Sequence, residues 1–195
     1  MKKALFLDRD GVINKMVRKH SKGYNKIIDD SPFTPKEFEF NPGIKEIVEY
    51  AKSKKYEIIC ITNQPSVLKK EFSLNDYEEI TKKMCEGLGI DRGNVFECLH
   101  KEGLSLPCNC RKPKPGLILM AKGVFDIDLK KSILVGDSST DIYAGKSAGV
   151  GKNIFLRRLK SEFQEGNLKH EDKMKEEKKL PDGTIESLDS LKDFL

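Results

Sequence analysis

The sequence of 195 residues lacks any apolar run that approaches the roughly 20 residues of a membrane-spanning helix. It also lacks the pattern of a secretory leader, because Met1 to Lys3 lead directly into a short apolar segment and then a charged one. The five cysteines are an odd number, which favours reduced thiols or metal ligands over a disulfide framework. We therefore expect a cytoplasmic protein.

A large excess of one charge is also missing. The chain has 36 basic and 31 acidic residues, for a net charge of +5, and residues 1–30 hold eight basic and four acidic residues. This local excess suits the approach of a small anionic molecule. It is not dense enough to indicate a nucleic-acid surface, so we expect a small-molecule substrate and no nucleic-acid or membrane partner.

Short apolar runs alternate along the chain with longer amphipathic ones, a pattern typical of repeated strand-helix units. Helices are predicted from Pro42 to Lys54, from Ser73 to Gly87 or Gly89, from Pro115, from Ser139, and from Ser187 to Leu195. Five strands are predicted, at residues 4–7, 58–61, 94–98, 132–135 and 153–156. The pattern predicts an α/β fold with a Rossmann-like parallel sheet between two layers of helices, in a single domain over residues 1–195.

Two stretches, residues 15–41 and 99–114, are longer than ordinary connections and show no clear period. Each follows a predicted strand at the edge of the sheet where open α/β folds bind ligands. We interpret both as walls of an active site, with no large cap domain. The charged segment 160–180 is predicted to be an exposed helix or a loop, and it receives no function.

Carboxylates follow two of the predicted strands. Asp8 and Asp10 come directly after the first strand, and Asp137 comes directly after the fourth. One such aspartate alone is more often a cap of a turn or helix, but three at one sheet edge repel each other unless a cation lies between them. Carboxylate oxygens are hard ligands that suit Mg²⁺, which can also bridge to phosphate oxygens.

Groups that suit a phosphate lie at two further places. Thr62, Asn63 and Gln64 follow the second strand, and Arg111 and Lys112 precede the helix near Pro115. Hydroxyl, amide and cationic groups can hold the oxygens of a phosphoryl group while an aspartate attacks phosphorus. Thr62 taken alone is also compatible with an ordinary strand residue.

A second metal signature lies in residues 98–110, where four ligands of zinc type fall within thirteen residues. Cys98, His100, Cys108 and Cys110 form a Cys₃His set, which is typical of a closed, structural Zn²⁺ site. Zinc would then act on catalysis only by holding the adjacent Arg111 in place, together with Lys112. Cys60 and Cys85 are predicted to be small buried apolar residues.

Four segments that together span about residues 4–150 carry most of these groups: Phe6 to Asn14, Thr62 to Gln64, Cys110 to Gly116, and Val135 to Asp141. In this order they resemble the four motifs of the haloacid dehalogenase superfamily of phosphatases. The resemblance implies that Asp8 is the nucleophile and Asp10 the general acid and then the base. It also implies a Mg²⁺ ion held by Asp8, the Asp10 carbonyl and Asp137. By the same resemblance, three side chains hold the phosphoryl group: Thr62, Arg111 and Lys112.

Within the superfamily the chain resembles the branch of heptose bisphosphate and histidinol-phosphate phosphatases. The segment Lys114 to Gly116 looks like the heptose enzymes, whereas the short interval from His100 to Cys108 is nearer the histidinol-phosphate type. The first substrate hypothesis is therefore the C7 phosphate of D-glycero-D-manno-heptose 1,7-bisphosphate, and the alternative is histidinol phosphate or another small phosphate. Expected substrate-binding residues are Gly23, Tyr24, Asn63, Gln64 and Lys69.

Two further alternatives stay open at this point. A binding protein that kept the fold without catalysis is disfavoured, because all motif residues that the chemistry requires are present. A polynucleotide phosphatase uses the same aspartates, but it would need a longer basic face and gives no reason for the zinc loop. We expect a monomer.

Overall fold

The computed structural model describes residues 1–20, 27–68, 73–100, 108–158 and 164–195. Within these ranges the chain forms eight strands: β1 Lys3–Asp8, β2 Val17–His20, β3 Ile27–Asp30, β4 Tyr56–Asn63, β5 Val95–Cys98, β6 Ile133–Gly136, β7 Lys152–Leu156 and β8 Gly183–Ile185. Six of them form one sheet in the order β5-β4-β1-β6-β7-β8, and every neighbouring pair in it is parallel. The predicted α/β fold with a parallel sheet is confirmed.

The described ranges contain six α-helices: α1 Ile44–Ser53, α2 Pro65–Leu68, α3 Leu74–Leu88, α4 Gly116–Phe125, α5 Ser139–Ala148 and α6 Gln164–Glu176. The bounds of α1, α3, α4 and α5 lie close to the predicted signals, whereas α2 was not predicted. Ser73 caps α3 by accepting a hydrogen bond from the backbone N–H of Asp76, and Gly89 ends this helix in the left-handed conformation. The predicted C-terminal helix is confirmed in position, but it is a 3₁₀ helix, Leu188–Phe194.

The strands of the sheet bury both of their faces. In β1, Leu5 and Leu7 belong to one hydrophobic cluster, while Ala4 and Phe6 belong to another. The first cluster includes the buried sides of α1 and α3, and the second includes those of α4 and α5. Because successive side chains of a strand point to opposite faces, this division places the sheet between two layers of helices.

Three elements lie where the sequence pattern gave little signal. The stretch 15–41, expected to be irregular, contains an antiparallel hairpin of β2 and β3. Strand β8 has only three residues, too few for a period to be recognised. Helix α6 lies in the charged segment 160–180 and buries Met174, but its remaining residues are mostly polar. None of the helices in the described ranges is both long and apolar enough to cross a membrane.

The order of the strands determines where a ligand can bind. From β1 the chain moves to β4 and then β5 on one side, and afterwards it returns to β6 on the other side of β1. Parallel sheets with such a reversal have a crevice at the carboxyl ends of the strands beside the reversal. In this fold those ends carry Asp8, the last residue of β1, and Asp137, directly after β6.

The loop after β1 is held by one amide. The Nδ2 group of Asn41 donates hydrogen bonds to the carbonyl oxygens of Gly11, Val12 and Asn14 at 2.9, 3.0 and 3.1 Å. Replacing Asn41 by Ala should lower the free energy of unfolding by about 2 kcal/mol, because the carbonyls lose their donor. Urea unfolding measures this change. The exposed Asn75 of α3 is the matched control, and an equal loss in Asn75→Ala would contradict the assignment.

Candidate active site

Asp8 is the last residue of β1, and Asp137 directly follows β6, the neighbouring strand. Both side chains are buried, with 8% and 5% of their residues' surfaces exposed. Gly11, in the loop after β1, has a positive φ of 101°, and a Cβ atom at this position would overlap the Asp137 carboxylate. A glycine is therefore required for the loop to approach this carboxylate.

The structure adds a third carboxylate, Asp141. Ligand oxygens of Asp8, Asp137 and Asp141 all lie within 4.8 Å of one another, and all three side chains are buried. The carboxylate of Asp10 is not part of this group, so a contribution of its carbonyl to a metal site stays a prediction. The carboxylate side chains grouped closely enough to hold a metal cation in the described ranges are thus Asp8, Asp137 and Asp141.

Sequence reasoning did not select Asp141 as a site residue, and the structure shows that it also caps a helix. Ser138 and Asp141 form a capping box at the start of α5, in which Asp141 Oδ2 accepts a hydrogen bond from the Ser138 backbone N–H at 3.1 Å. The other oxygen, Oδ1, lies 2.6 Å from Lys112 Nζ. One carboxylate therefore caps the helix and faces the site, and only the second role needs the three-dimensional structure to be seen.

The ammonium group of Lys112 contacts two of these carboxylates, those of Asp8 and Asp141. Its Nζ donates to Asp8 Oδ1 at 2.6 Å and to the carbonyl oxygen of Ile61 at 3.1 Å, and it forms the ion pair with Asp141. Burial opposes the charge of this ammonium group, but the carboxylates of Asp141 and Asp8 outweigh burial and raise the pKa of Lys112. Lys112 thus stays charged beside Asp8.

The carboxylates need more positive charge than the lysine supplies. Burial raises the pKa of Asp8 well above its usual range, and the nearby charges of Asp141 and Asp137 add to the effect while Lys112 opposes it. Burial likewise raises the pKa of Asp137 to about 6, although the guanidinium of Arg158 opposes this shift. A divalent cation among these oxygens would favour the ionised forms of both, so the donor set fits Mg²⁺.

Asp10 is held by the amides around it. Gln64 Nε2 donates to Asp10 Oδ2 at 2.5 Å, and Asn14 Nδ2 donates to Oδ1 at 3.0 Å. The Nε of Arg9, a residue with no exposed surface, lies 3.4 Å from the same Oδ1. These contacts fix the orientation of the carboxylate that the sequence predicts to be the acid and base.

The residues at the end of β4 and directly after it position other groups of the site. Gln64 Nε2 also donates to Thr62 Oγ1 at 2.8 Å. Asn63 Nδ2 donates to the carbonyl oxygen of Lys112 at 3.1 Å, and its Oδ1 accepts from the Lys112 backbone N–H at 3.0 Å. The structure therefore assigns both amides a positioning role. A substrate contact by Asn63 or Gln64 stays a prediction.

The remaining sequence-predicted residues fall into two groups. Arg111 lies beside Lys112, and its Nη1 is buried with no hydrogen-bond partner among the described residues, which leaves this donor available to an anion. Gly23, Tyr24 and Lys69, the other expected substrate-binding residues, lie outside the described residues.

The four zinc-type ligands come together beside this edge of the sheet. The donor atoms of Cys98, His100, Cys108 and Cys110 lie within 4.8 Å of one another. The Sγ atom of Cys98 lies 3.7 Å from Cys108 Sγ and 3.3 Å from Cys110 Sγ, and His100 Nδ1 lies 3.2 Å from Cys110 Sγ. Zinc–thiolate bonds of about 2.3 Å in a tetrahedron place the ligand atoms roughly 3.8 Å apart. The geometry fits a structural zinc ion.

This cluster connects directly to the catalytic edge. Cys98 ends β5 and pairs in the sheet with Asn63, the residue that holds the backbone of Lys112. Cys110 immediately precedes Arg111 in the chain. Any displacement of the cluster would thus reach both cations of the predicted phosphate site.

The sheet is parallel with this strand order, and an aspartate at the end of β1 is surrounded by a lysine and further carboxylates. These features together define a phosphatase of the haloacid dehalogenase superfamily. The family model described as polynucleotide kinase 3 phosphatase matches residues 7–182, and the chain belongs to this family within the superfamily.

Relatives with established names are similar over most of the chain. The D-glycero-beta-D-manno-heptose-1,7-bisphosphate 7-phosphatase of Helicobacter pylori is 39% identical over 158 residues, which cover 79% of this chain and 83% of the relative. The D-glycero-alpha-D-manno-heptose-1,7-bisphosphate 7-phosphatase of Photorhabdus laumondii is 41% identical over 163 residues, which cover 80% and 82%.

Solved structures show the same fold. A HAD-like protein from Mesorhizobium loti has a TM-score of 0.66 at 27% identity, over 81% of this chain and 74% of that one. The D,D-heptose 1,7-bisphosphate phosphatase of B. bronchiseptica, solved with magnesium and phosphate, has a TM-score of 0.71 at 22% identity, over 98% and 97%.

Zinc content tests the Cys₃His cluster. We expect about one zinc ion per chain by elemental analysis, with loss of the metal in Cys110→Ser and retention in Cys85→Ser, since Cys85 lies on α3 outside the cluster. Chelation should increase hydrogen exchange in residues 98–100 and 108–112 before it affects the central strands. An unchanged exchange pattern after zinc removal would contradict a structural metal.

The affinity for Mg²⁺ should depend on pH. Because the pKa of Asp137 is raised to about 6 without metal, this carboxyl group holds a proton below that pH and Mg²⁺ must displace it. Affinity should therefore be about tenfold weaker at pH 5 than at pH 7 from this group alone. Calorimetry in buffers of different ionisation enthalpy should detect proton release near pH 6. Binding that is independent of pH would disprove the coupling.

Proposed function

We propose that this protein is a Mg²⁺-dependent phosphatase that removes the C7 phosphate of D-glycero-D-manno-heptose 1,7-bisphosphate through an aspartyl-phosphate on Asp8. The observation that carries the reaction type is the buried Asp8 carboxylate, paired with Lys112 and surrounded by Asp137 and Asp141. The observation that supports the substrate is the similarity to heptose bisphosphate phosphatases at 39% and 41% identity over about four fifths of the chain.

Asp8, Asp137 and Asp141 would hold the magnesium ion, as their buried oxygens and the raised pKa values of the Asp8 and Asp137 carboxyl groups support. When bound, Mg²⁺ supplies positive charge to the phosphoryl oxygens and so reduces their repulsion of the nucleophile. Lys112 contributes a fixed positive charge beside Asp8, and the buried Nη1 of Arg111 offers a further donor.

In the first step, a carboxylate oxygen of Asp8 attacks phosphorus, and the bond from phosphorus to the sugar oxygen breaks. Asp10, held by Gln64 and Asn14, donates a proton to the departing sugar alkoxide. In the second step, Asp10 accepts a proton from a water molecule that attacks the phosphorus of the aspartyl-phosphate. Inorganic phosphate leaves, and the Asp8 carboxylate is restored.

Thr62 and Asn63, at the end of β4, have different proposed roles. Thr62, whose oxygen accepts from Gln64, can donate its hydroxyl hydrogen to a phosphoryl oxygen. Asn63 keeps the backbone of Lys112 in place through two hydrogen bonds. The zinc cluster restrains the same segment from its other end, which makes zinc a structural cofactor and magnesium the catalytic one in this proposal.

Two other substrates are compatible with the same reaction. The description of the matched family favours a 3′-phosphate at a polynucleotide end, whereas the sequence resemblance includes histidinol phosphate. The small sugar phosphate is preferred because the matches to heptose bisphosphate phosphatases extend over more than four fifths of those relatives' own length. The monomeric state and the cytoplasmic location belong to this proposal as predictions.

Phosphate release with and without Mg²⁺ tests the mechanism. Asp8→Asn should reduce turnover by at least about 10³-fold with an unchanged fold, because an amide cannot form the aspartyl-phosphate. Asp76→Asn, which changes an aspartate in the first turn of α3, is the matched control and should keep full activity. Near-normal turnover by Asp8→Asn would contradict Asp8 as nucleophile.

Substrate preference is measured with the same zinc-loaded enzyme. Both anomers of heptose 1,7-bisphosphate, histidinol phosphate and a 3′-phosphorylated oligonucleotide are compared by kcat/KM. We expect a preference of at least about 100-fold for one heptose anomer, or roughly 2.7 kcal/mol of transition-state discrimination. A higher kcat/KM for histidinol phosphate or the oligonucleotide would keep the mechanism and overturn the substrate.

A further inference from the structure

Arg158 reaches the carboxylate cluster from outside the four motifs. It lies two residues beyond Leu156, the end of β7, and β7 is the parallel neighbour of β6. Because parallel strands end at one edge of the sheet, residues after β7 lie beside those after β6. The motif resemblance ends near residue 150, so no motif assigns a role to this arginine.

Its guanidinium forms an ion pair with a carboxylate of the cluster. Arg158 Nη2 donates to Asp137 Oδ2, in a pair whose side chains are only 18% and 7% exposed. The same nitrogen lies 3.6 Å from Met16 Sδ, in the segment that leads to β2. Arg158 therefore contacts both the metal-type cluster and the wall of the site.

The chain's own cations thus contact all three carboxylates. Lys112 lies 2.6 Å from Asp8 and from Asp141, and Arg158 pairs with Asp137. A magnesium ion that enters this cluster meets two positive charges already in place. The attraction of the carboxylates for Mg²⁺ is therefore reduced by each of these neighbours.

The adjacent arginine has a different environment. Arg157 pairs with Glu171 of α6 at 2.6 Å and with Glu186 at 3.6 Å, and neither partner belongs to the cluster. The two consecutive arginines thus have different partners. Arg157 pairs with Glu171 and Glu186, whereas Arg158 pairs with the buried carboxylate of Asp137. Arg157 offers a control that removes the same charge one residue away.

We propose that Arg158 is a positioning residue that holds Asp137 Oδ2 and lowers the affinity of the three-carboxylate cluster for Mg²⁺. The inference rests on the magnesium site of the proposed function. Arg158 neutralises Asp137 while the cluster has no metal, and so stabilises the fold in that state. Its positive charge opposes the divalent cation when the cation binds.

Calorimetry of Mg²⁺ binding, with zinc-loaded protein and no substrate, tests this proposal. Arg158→Gln should bind Mg²⁺ about tenfold more tightly than the wild type, which equals about 1.4 kcal/mol. Arg158→Lys keeps the charge and should stay near the wild-type affinity. Arg157→Gln, the matched control, should also leave the affinity unchanged, because its guanidinium contacts Glu171 and Glu186.

Thermal unfolding gives a second reading that needs no activity. Without Mg²⁺, Arg158→Gln should melt at a lower temperature than the wild type, because Asp137 loses its cationic partner. Saturating Mg²⁺ should raise its melting temperature by more than it raises that of the wild type. This combination distinguishes an electrostatic role from general damage to the fold, which would lower stability and affinity together.

The proposal is overturned if Arg158→Gln binds Mg²⁺ with unchanged or weaker affinity, or if Arg157→Gln tightens binding equally. A wild-type protein that binds no Mg²⁺ overturns it together with the magnesium site. Tighter Mg²⁺ binding by Arg158→Gln than by the wild type, without hydrolysis of any phosphate tested, would instead reject the proposed function and leave the role of Arg158 supported.

Discussion

The ammonium group of Lys112 lies 2.6 Å from a carboxylate oxygen of Asp8 and 2.6 Å from one of Asp141, and the catalytic edge depends on these contacts. Two carboxylates and a lysine that are nearly free of solvent are costly to separate, since removal of one partner leaves a buried charge unpaired. The contacts also join the end of β1 to the start of α5 through a residue that precedes α4. Three separate parts of the chain are thus fixed around one nitrogen atom.

The backbone around Lys112 is held from two sides. The cluster of Cys98, His100, Cys108 and Cys110 lies close enough to contribute to both. Asn63 binds the main chain of Lys112, and its partner in the sheet is Cys98, the first ligand of the cluster. On the other side, Gly116 donates its backbone N–H to the carbonyl oxygen of Asn109 at 3.0 Å. A short segment with little apolar content is therefore anchored by polar contacts and by its cysteines.

Much of the fold was predictable because it is periodic. Continuous apolar runs such as Ile58 to Ile61 identify strands that are buried on both faces, and the cap Ser73 and the terminal Gly89 mark the ends of α3. Strand β8 was not predictable, because three residues show no period, and its place in the sheet depends on pairing with β7. The hairpin of β2 and β3 is likewise an antiparallel pair of four-residue strands outside the main sheet.

The site was predictable where chemistry is carried by residues at the carboxyl end of a strand, as with Asp8, Thr62 and Asp137. It was less predictable where one residue has two roles, since Asp141 caps α5 through Oδ2 and contacts Lys112 through Oδ1. The role of Gln64 depends on the hydrogen-bond partners of its side-chain amide. Only the structure identifies these partners as Asp10 and Thr62. Arg158 has no local pattern, because its partner lies 21 residues away on the neighbouring strand end.

The central claim is that Asp8 is the nucleophile of a phosphatase. Its most direct test is a single turnover of heptose 1,7-bisphosphate with excess enzyme and Mg²⁺, stopped in acid and mapped by mass spectrometry. The account predicts a phosphoryl group on Asp8 that appears and decays, and Asp10→Asn should slow both its formation and its decay because the same carboxyl group serves both steps. A phosphoryl group on another residue, or turnover with no phosphorylated enzyme at any time, would contradict it.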